Sequence, residues 1–298
     1  MDKSTNPIGI INIDKPPGIT SHDVVARIRK LADIKRVGHT GTLDPFATGI
    51  LLVAIGPATR LIQFTHNWEK EYSATFIFGA SSDTDDITGE ISKFQIPNSK
   101  QITKHKIQNT LKQFIGNIQQ IPPAYSAVKI KGKKLYEHAR IGENVVANAR
   151  PVTIHEIKII SYDYPELKLH IRCSTGTYIR ALARDLGTAL NTGSYVSQLR
   201  RTKIGKFHES GSIKLEKLST DNLKKGLNTV ESMIWHLPSA QFPADNVAQL
   251  EQGRKLPYFD NNIPANSPLS LFDQNKNLIG IGEYDSLAHL LSPRIILP

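Results

Sequence analysis

The chain has 298 residues, 39% of them hydrophobic and 21% charged, which is enough to bury a sizeable core in one large or two smaller domains. Lys and Arg number 37 against 27 Asp and Glu, and the resulting +10 points to a polyanionic partner, nucleic acid or an anionic membrane. The membrane is the weaker reading: the longest apolar run, residues 50–55, is far short of the roughly 20 residues a spanning helix needs. The N-terminus has no signal-peptide pattern, and the single cysteine, Cys173, excludes an internal disulfide or a Cys-rich zinc site, so a cytoplasmic protein is expected.

In chain order, Thr20 and Asp23 have capping-box spacing ahead of a helix whose Val24, Val25, Ile28 and Leu31 share one face. Residues 50–55 read as a buried strand, after which Pro57 suits the first turn of a helix. EYSATFIF alternates as a strand with Tyr72, Ala74, Phe76 and Phe78 on one side. Thr103 is placed to cap a helix with a stripe of Ile107, Leu111, Phe114 and Ile115, ended by Gly116. ELKLHIRC (166–173) alternates cleanly, and TGTYIRALARDLG (175–187) reads as a turn feeding an amphipathic helix. Strands and helices mix without regular βαβ alternation. The expected class is therefore α+β, a mainly antiparallel mixed sheet flanked by helices. The last 55 or so residues carry short apolar pieces between turns and suggest a small β-barrel. From residue 241 onward the charge is −2 and before it +12, with HLPSAQFP (236–243) as a linker. Domains over 1–238 and 240–298 follow.

The segment 38–49, GHTGTLDPFATG, places one carboxylate on a glycine-rich lead-in to the buried strand. Asp before Pro commonly opens a turn or caps a short helix, yet the glycines admit a ligand close to the backbone. Both readings of Asp44 stay open on spacing alone. Asp83, Asp85 and Asp86 fail the EF-hand template and read as a solvated acidic turn. By pattern, Tyr72 is a core tyrosine and Arg180 a solvent-facing helical arginine, while Lys15 is either a surface lysine or a phosphate contact. The basic segments VKIKGKKLYEHAR (128–140) and LRRTKIGKF (199–207) lie close to Tyr125, Tyr136 and Phe207, a combination suited to phosphates and unpaired bases.

GHTGTLDPFATGILLVAIG, EKEYSATFIFG, STGTYIRALARDLG and LRRTKIGKF, in that order, resemble the TruB family of tRNA pseudouridine synthases; DKPPGITS, SDTDDITGE and PPAYSAVKIKGKKLYEHAR match as well. QLEQGRKL (249–256) is similar to the start of that family's C-terminal PUA-type domain. The resemblance implies a pseudouridine synthase fold with a PUA-like unit, and a redox-neutral isomerisation of the T-loop uridine, tRNA position 55, without cofactor or metal. It implies Asp44 as nucleophile, Arg180 as its partner, and Tyr72 stacked on the base and placed for proton removal at C5. By the same resemblance Leu199 would pack against the pocket, Lys15 would border it, and His39 would fill the space a flipped base leaves. The resemblance further implies that the insertion 122–150 closes on the T arm, with Lys129, Lys133 and Lys134 on phosphates, and that Tyr178 and Arg200 complete the substrate-binding set. No proline stands at residues 50–52, and Ala147 occupies a commonly charged position, departures that touch single RNA contacts. The implied partner is tRNA, by its T arm and, through the C-terminal unit, its acceptor end, with no membrane and no required protein partner. Two alternatives remain: a guide-RNA-dependent synthase of the dyskerin type, and an RNA-binding protein without turnover.

Overall fold

The computed structural model describes residues 7–94, 102–130, 132–143, 145–260, 262–264 and 266–298. One large sheet organises the first 230 or so residues. Its main strands are β1 (Gly9–Lys15), β3 (Thr48–Ile55), β4 (Lys70–Phe78), β5 (Gly116–Gln120), β6 (Arg150–Asp163), β7 (Glu166–Cys173) and β8 (Ser194–Ile204), with a short β2 (Val37–His39) beside β3. Across the sheet the order is β1-β3-β8-β4-β7-β6-β5. Neighbours run antiparallel except β3 and β8, which are parallel and share only two register positions, Arg200 with Thr48 and Arg201 with Gly49. The α+β, mainly antiparallel expectation holds.

Alternation decides what each face carries. On β4, Lys70, Tyr72, Ala74, Phe76 and Phe78 turn to the side covered by α2 (Lys104–Leu111) and α4 (Ile179–Ala189). There they join Leu167, Leu169, Ile171, Leu182, Leu186 and Leu199 in one core. Ile11, Ile13, Leu51 and Val53 carry that face on beneath α1 (Ser21–Ala32), whose Val24, Val25 and Ile28 are buried. Both halves of the expected capping box at Thr20 and Asp23 form.

Four local expectations change. The segment after Pro57 is a 3-10 helix, Gly56–Thr65. The helix capped by Thr103 stops at Leu111 and tightens into a 3-10 turn, which throws Ile115 out of the stripe to 46% exposure. The acidic turn is not solvated, because Asp85 and Asp86 are buried against Arg184 and Arg180 of α4. Arg180 in turn is 3% exposed instead of facing solvent. A polar surface pattern fails for both elements because each supplies the other's counter-charge.

The C-terminal sheet is β9 (Ser239–Phe242), β10 (Leu256–Pro257), β11 (Ser267–Asp273), β12 (Leu278–Asp285) and β13 (Leu290–Ile296), in the order β9-β11-β12-β13-β10. It curls without closing, so the expected barrel is a half-barrel. Helix α5 (Ala244–Glu251) fills the open side, with Leu250 fully buried. The second half of the expected linker is β9 itself, paired in parallel with β11. Ile281, Ile295 and Leu297 pack with Ile10, Ile50, Leu52 and Met233, so the two units share a core. α3 (Leu135–Arg140) lies within the 122–150 insertion, over a small cluster of Val128, Leu135 and Ala147.

Gly49 has φ +96°, and a Cβ there would lie 2.2 Å from the Arg201 carbonyl oxygen. Gly49→Ala combines a left-handed backbone with that collision and is expected to cost about 2–4 kcal/mol in urea unfolding. A loss under about 0.5 kcal/mol would show the β3–β8 junction to be loose.

Candidate active site

Asp44 stands on the loop between β2 and β3, and its neighbours are pinned before its own side chain is considered. The Leu43 N–H donates to Ser21 Oγ at 2.9 Å and the Ser21 hydroxyl donates to the Leu43 carbonyl at 3.1 Å. The Pro45 carbonyl accepts from the Gly18 N–H at 2.8 Å and from Lys15 Nζ at 3.1 Å. Leu43 and Ala47 are buried in the core beside Tyr72. Between these anchors the Asp44 side chain keeps 31% exposure, enough to meet a ligand.

Arg180 reaches it from the first turn of α4. Nε donates to Oδ2 at 2.9 Å and Nη2 to Oδ1 at 3.0 Å, a planar two-point grip. The remaining donors go to the Thr84 carbonyl at 2.9 Å and the Tyr125 carbonyl at 3.0 Å, and Asp86 lies 3.5 Å away. A guanidinium this buried needs its donors satisfied, and here the acidic turn, the insertion and the loop bearing Asp44 share that task.

Tyr72 is 7% exposed, and burial pushes its hydroxyl up to about 12, while Arg201, hydrogen-bonded to it, pulls the other way. The phenol is therefore neutral at pH 7. Leu199 packs in the same core cluster. His39 lies edge-to-face with His22 at 5.5 Å, and its Nδ1 is buried without a partner among the described residues. Burial first, then the His22 and Arg201 charges, bring it down to about 4, leaving a neutral aromatic plane.

Tyr178 caps α4 through a reciprocal pair with Gln120, its N–H donating to Oε1 at 2.7 Å and its carbonyl accepting from Nε2 at 3.0 Å. Its ring packs on the insertion's apolar cluster. Lys129 and Lys133 are exposed on a short antiparallel pair, whereas Lys134 is half-buried with Nζ 3.2 Å from the Tyr136 hydroxyl.

Two expected binding residues are spent on the protein itself, Lys15 at the border of the site and Arg200 away from it. Lys15 is 0% exposed, with Nζ spent on the carbonyls of Pro16, Ile19 and Pro45, and burial lowers it to about 8. It pins the loop and has no donor left for a phosphate. Arg200 turns to the other face of the sheet, held by both oxygens of Asp14 at 2.9 and 3.0 Å and by Glu209. Its neighbour Arg201 is the one beneath the site. Strand period places Leu199 and Arg201 on one face, so Leu199 in the pocket already selected 201 over 200. Thr84, Asp86, Gln120 and the Tyr125 carbonyl were also missed. Arg180 and Arg184, one turn apart and followed in the fold by three aspartates, were the available signal.

The chain matches the model of the TruB family pseudouridylate synthase N-terminal domain over residues 29–179, and the tRNA pseudouridylate synthase B C-terminal domain over 180–234. The chain belongs to the TruB family of tRNA pseudouridine synthases. It is 41% identical over 282 residues to tRNA pseudouridine synthase B of Trichormus variabilis, covering 92% of this chain and 94% of that one. To the protein of the same name from Acaryochloris marina it is 38% identical over 295 residues, covering 98% and 99%. Among solved structures, a chain of a Cbf5-Nop10-Gar1 complex aligns with TM-score 0.74 at 27% identity, covering 97% of this chain and 85% of that one. The family is one of isomerases that form pseudouridine.

Within that family's fold the neutral state of His39 has a thermodynamic consequence. Its folded-state value near 4 lies below the free value of 6.5, so the unfolded chain takes up the proton first. The associated stability is intact above pH 6.5 and is lost as pH falls toward 4. His39→Phe should flatten this acid limb in a melting-temperature profile between pH 6.5 and 4.5, and parallel profiles would contradict the assignment.

Proposed function

We propose that this protein isomerises the T-loop uridine at tRNA position 55, with Asp44 as the nucleophile that holds the reaction together while the base is turned. The observation that carries the reading is the two-point grip of the buried Arg180 on a partly exposed Asp44. It leaves a carboxylate aimed and partly exposed beside the core that holds Tyr72 and Leu199.

The chemistry follows from what each group can do. The N1–C1′ bond breaks, the uracil turns and C5 takes its place on the ribose, so no electrons are gained or lost. A carboxylate can bond covalently to uracil C6 or ribose C1′, or take a ribose proton, and each route needs an ionised Asp44 near the reacting sugar. The target base must leave its stack, which costs a few kcal/mol, and a neutral His39 ring suits the vacated place. Tyr72 offers a plane for stacking. Loss of the C5 proton to Tyr72 needs the phenolate, which burial disfavours and the Arg201 charge favours.

The insertion supplies the grip on RNA. Lys129 and Lys133 are exposed on the insertion, whose Tyr125 carbonyl meets Arg180, and can neutralise phosphates of the T arm. A PUA-like role for the half-barrel on the acceptor end belongs to the same proposal. Its acidic balance leaves Arg254 and Lys255 as the natural contacts.

Asp44→Asn should abolish tritium release from 5-tritiated uridine tRNA by about 10⁴-fold or more while tRNA binding stays largely intact. Equal rates in wild type and variant would falsify the nucleophile. Activity on bare tRNA transcript, with no guide RNA, is expected and separates this reading from the dyskerin type. Binding should weaken steeply between 50 and 200 mM salt, roughly in proportion to the phosphates neutralised. A flat response would count against the basic entrance.

A further inference from the structure

The Arg180 fork fixes the Asp44 side chain, but the loop bearing it needs an anchor of its own. β3 and β8 pair at only two positions before they part, which leaves strand and loop carbonyls without ladder partners. The side chain of Arg201 occupies that split. Its Nε donates to the Ile50 carbonyl at 2.8 Å, Nη1 to the Thr42 carbonyl at 3.3 Å and Nη2 to the Gly41 carbonyl at 3.1 Å. Its backbone abuts Gly49, the second residue of β3, where the loop has just ended. The segment 41–49, with Asp44 near its middle, thus begins and ends on one residue.

Arg201 is 1% exposed and forms no ion pair among the described residues. Lys70 lies close by, 7% exposed, with its Nζ donating to the Trp68 carbonyl at 3.1 Å and its Cε 3.8 Å from the place a Gly41 Cβ would take. Two buried cations are therefore met by carbonyl oxygens and, for Arg201, by the Tyr72 hydroxyl, with no carboxylate paired to either among the described residues, a costly arrangement if the sole task were to close a gap between strands. A planar fork of five donors is the side chain that can take three diverging carbonyls at once, and its charge stays uncompensated beside the Tyr72 hydroxyl.

We propose that Arg201 is a positioning residue for pseudouridine formation: it sets Asp44 through both ends of its loop and holds a positive charge at Tyr72, without touching the RNA. The proposal rests on the reading of Asp44 as nucleophile. It places loop geometry and tyrosine electrostatics under one side chain on β8, buried beneath the Asp44 loop.

The test compares wild type, Arg201→Lys, Arg201→Met and Asp44→Asn by melting temperature, tRNA affinity on filters and single-turnover tritium release at saturating enzyme. Arg201→Lys keeps charge and bulk but loses the fork; its rate is expected to fall about 30–100-fold, with affinity within about threefold of wild type. Arg201→Met should lose about tenfold more, because the charge beside Tyr72 goes as well. A merely structural residue would lower the melting temperature and leave the rate of the folded, saturated enzyme unchanged. If Arg201→Met does not fold, Arg201→Lys decides. An Arg201→Lys rate within about threefold of wild type overturns the proposal, as does a rate loss that disappears at saturation. Activity retained by Asp44→Asn sinks the underlying nucleophile reading instead, whatever Arg201→Lys does.

Discussion

Two parallel hydrogen bonds from a buried guanidinium to the Asp44 carboxylate are the constraint on which the rest of the site depends. Arg180 can be buried only because four hydrogen bonds and an ion pair with Asp86 meet it, and these come from three separate parts of the chain. The acidic turn between β4 and α2 must fold inward to supply Thr84 and Asp86. The insertion must dock to supply the Tyr125 carbonyl. The loop between β2 and β3 must present Asp44 itself. An arginine near the start of α4 thus couples the sheet, the turn and the insertion to one carboxylate.

Around that pair the protein places cations below and neutral aromatic groups at the sides. Lys15 and Lys70 are both brought down to about 8 by burial, and both hold backbone carbonyls instead of acids. A carboxylate partner for either would have offered Arg180 or Arg201 a second place to bind. Carbonyl solvation keeps the loop rigid and leaves Asp44 as the acid presented at the pocket.

Much of the fold was legible because alternation and capping are local. Thr20 with Asp23, the run 166–173 and the Tyr72 face of β4 each announce themselves within a few residues. Asp44 and Arg180 were legible through a family resemblance, since their partnership spans 136 positions and no periodicity links them. What failed was long-range by nature. Asp85 and Asp86 look solvated until α4 arrives over them. Lys15 looks like a phosphate ligand until the Pro45 carbonyl closes on it. Arg200 and Arg201 differ only in which face of β8 they take, and the neighbours that define those faces, Asp14 and Gly41, lie far away in the chain.

The core shared by Ile281, Ile295 and Leu297 with Ile10, Ile50 and Leu52 bears on how RNA would be measured by this molecule. The half-barrel sits on the back of the same strand, β3, that follows Asp44, and Arg60 adds a bond to the Ile296 carbonyl at 2.7 Å. The two units therefore act as the jaws of a fixed calliper, not as beads on a string. An RNA touching both must present its reactive nucleotide and its second contact at one set separation. For such an RNA, length and shape would count beside the bases around the target.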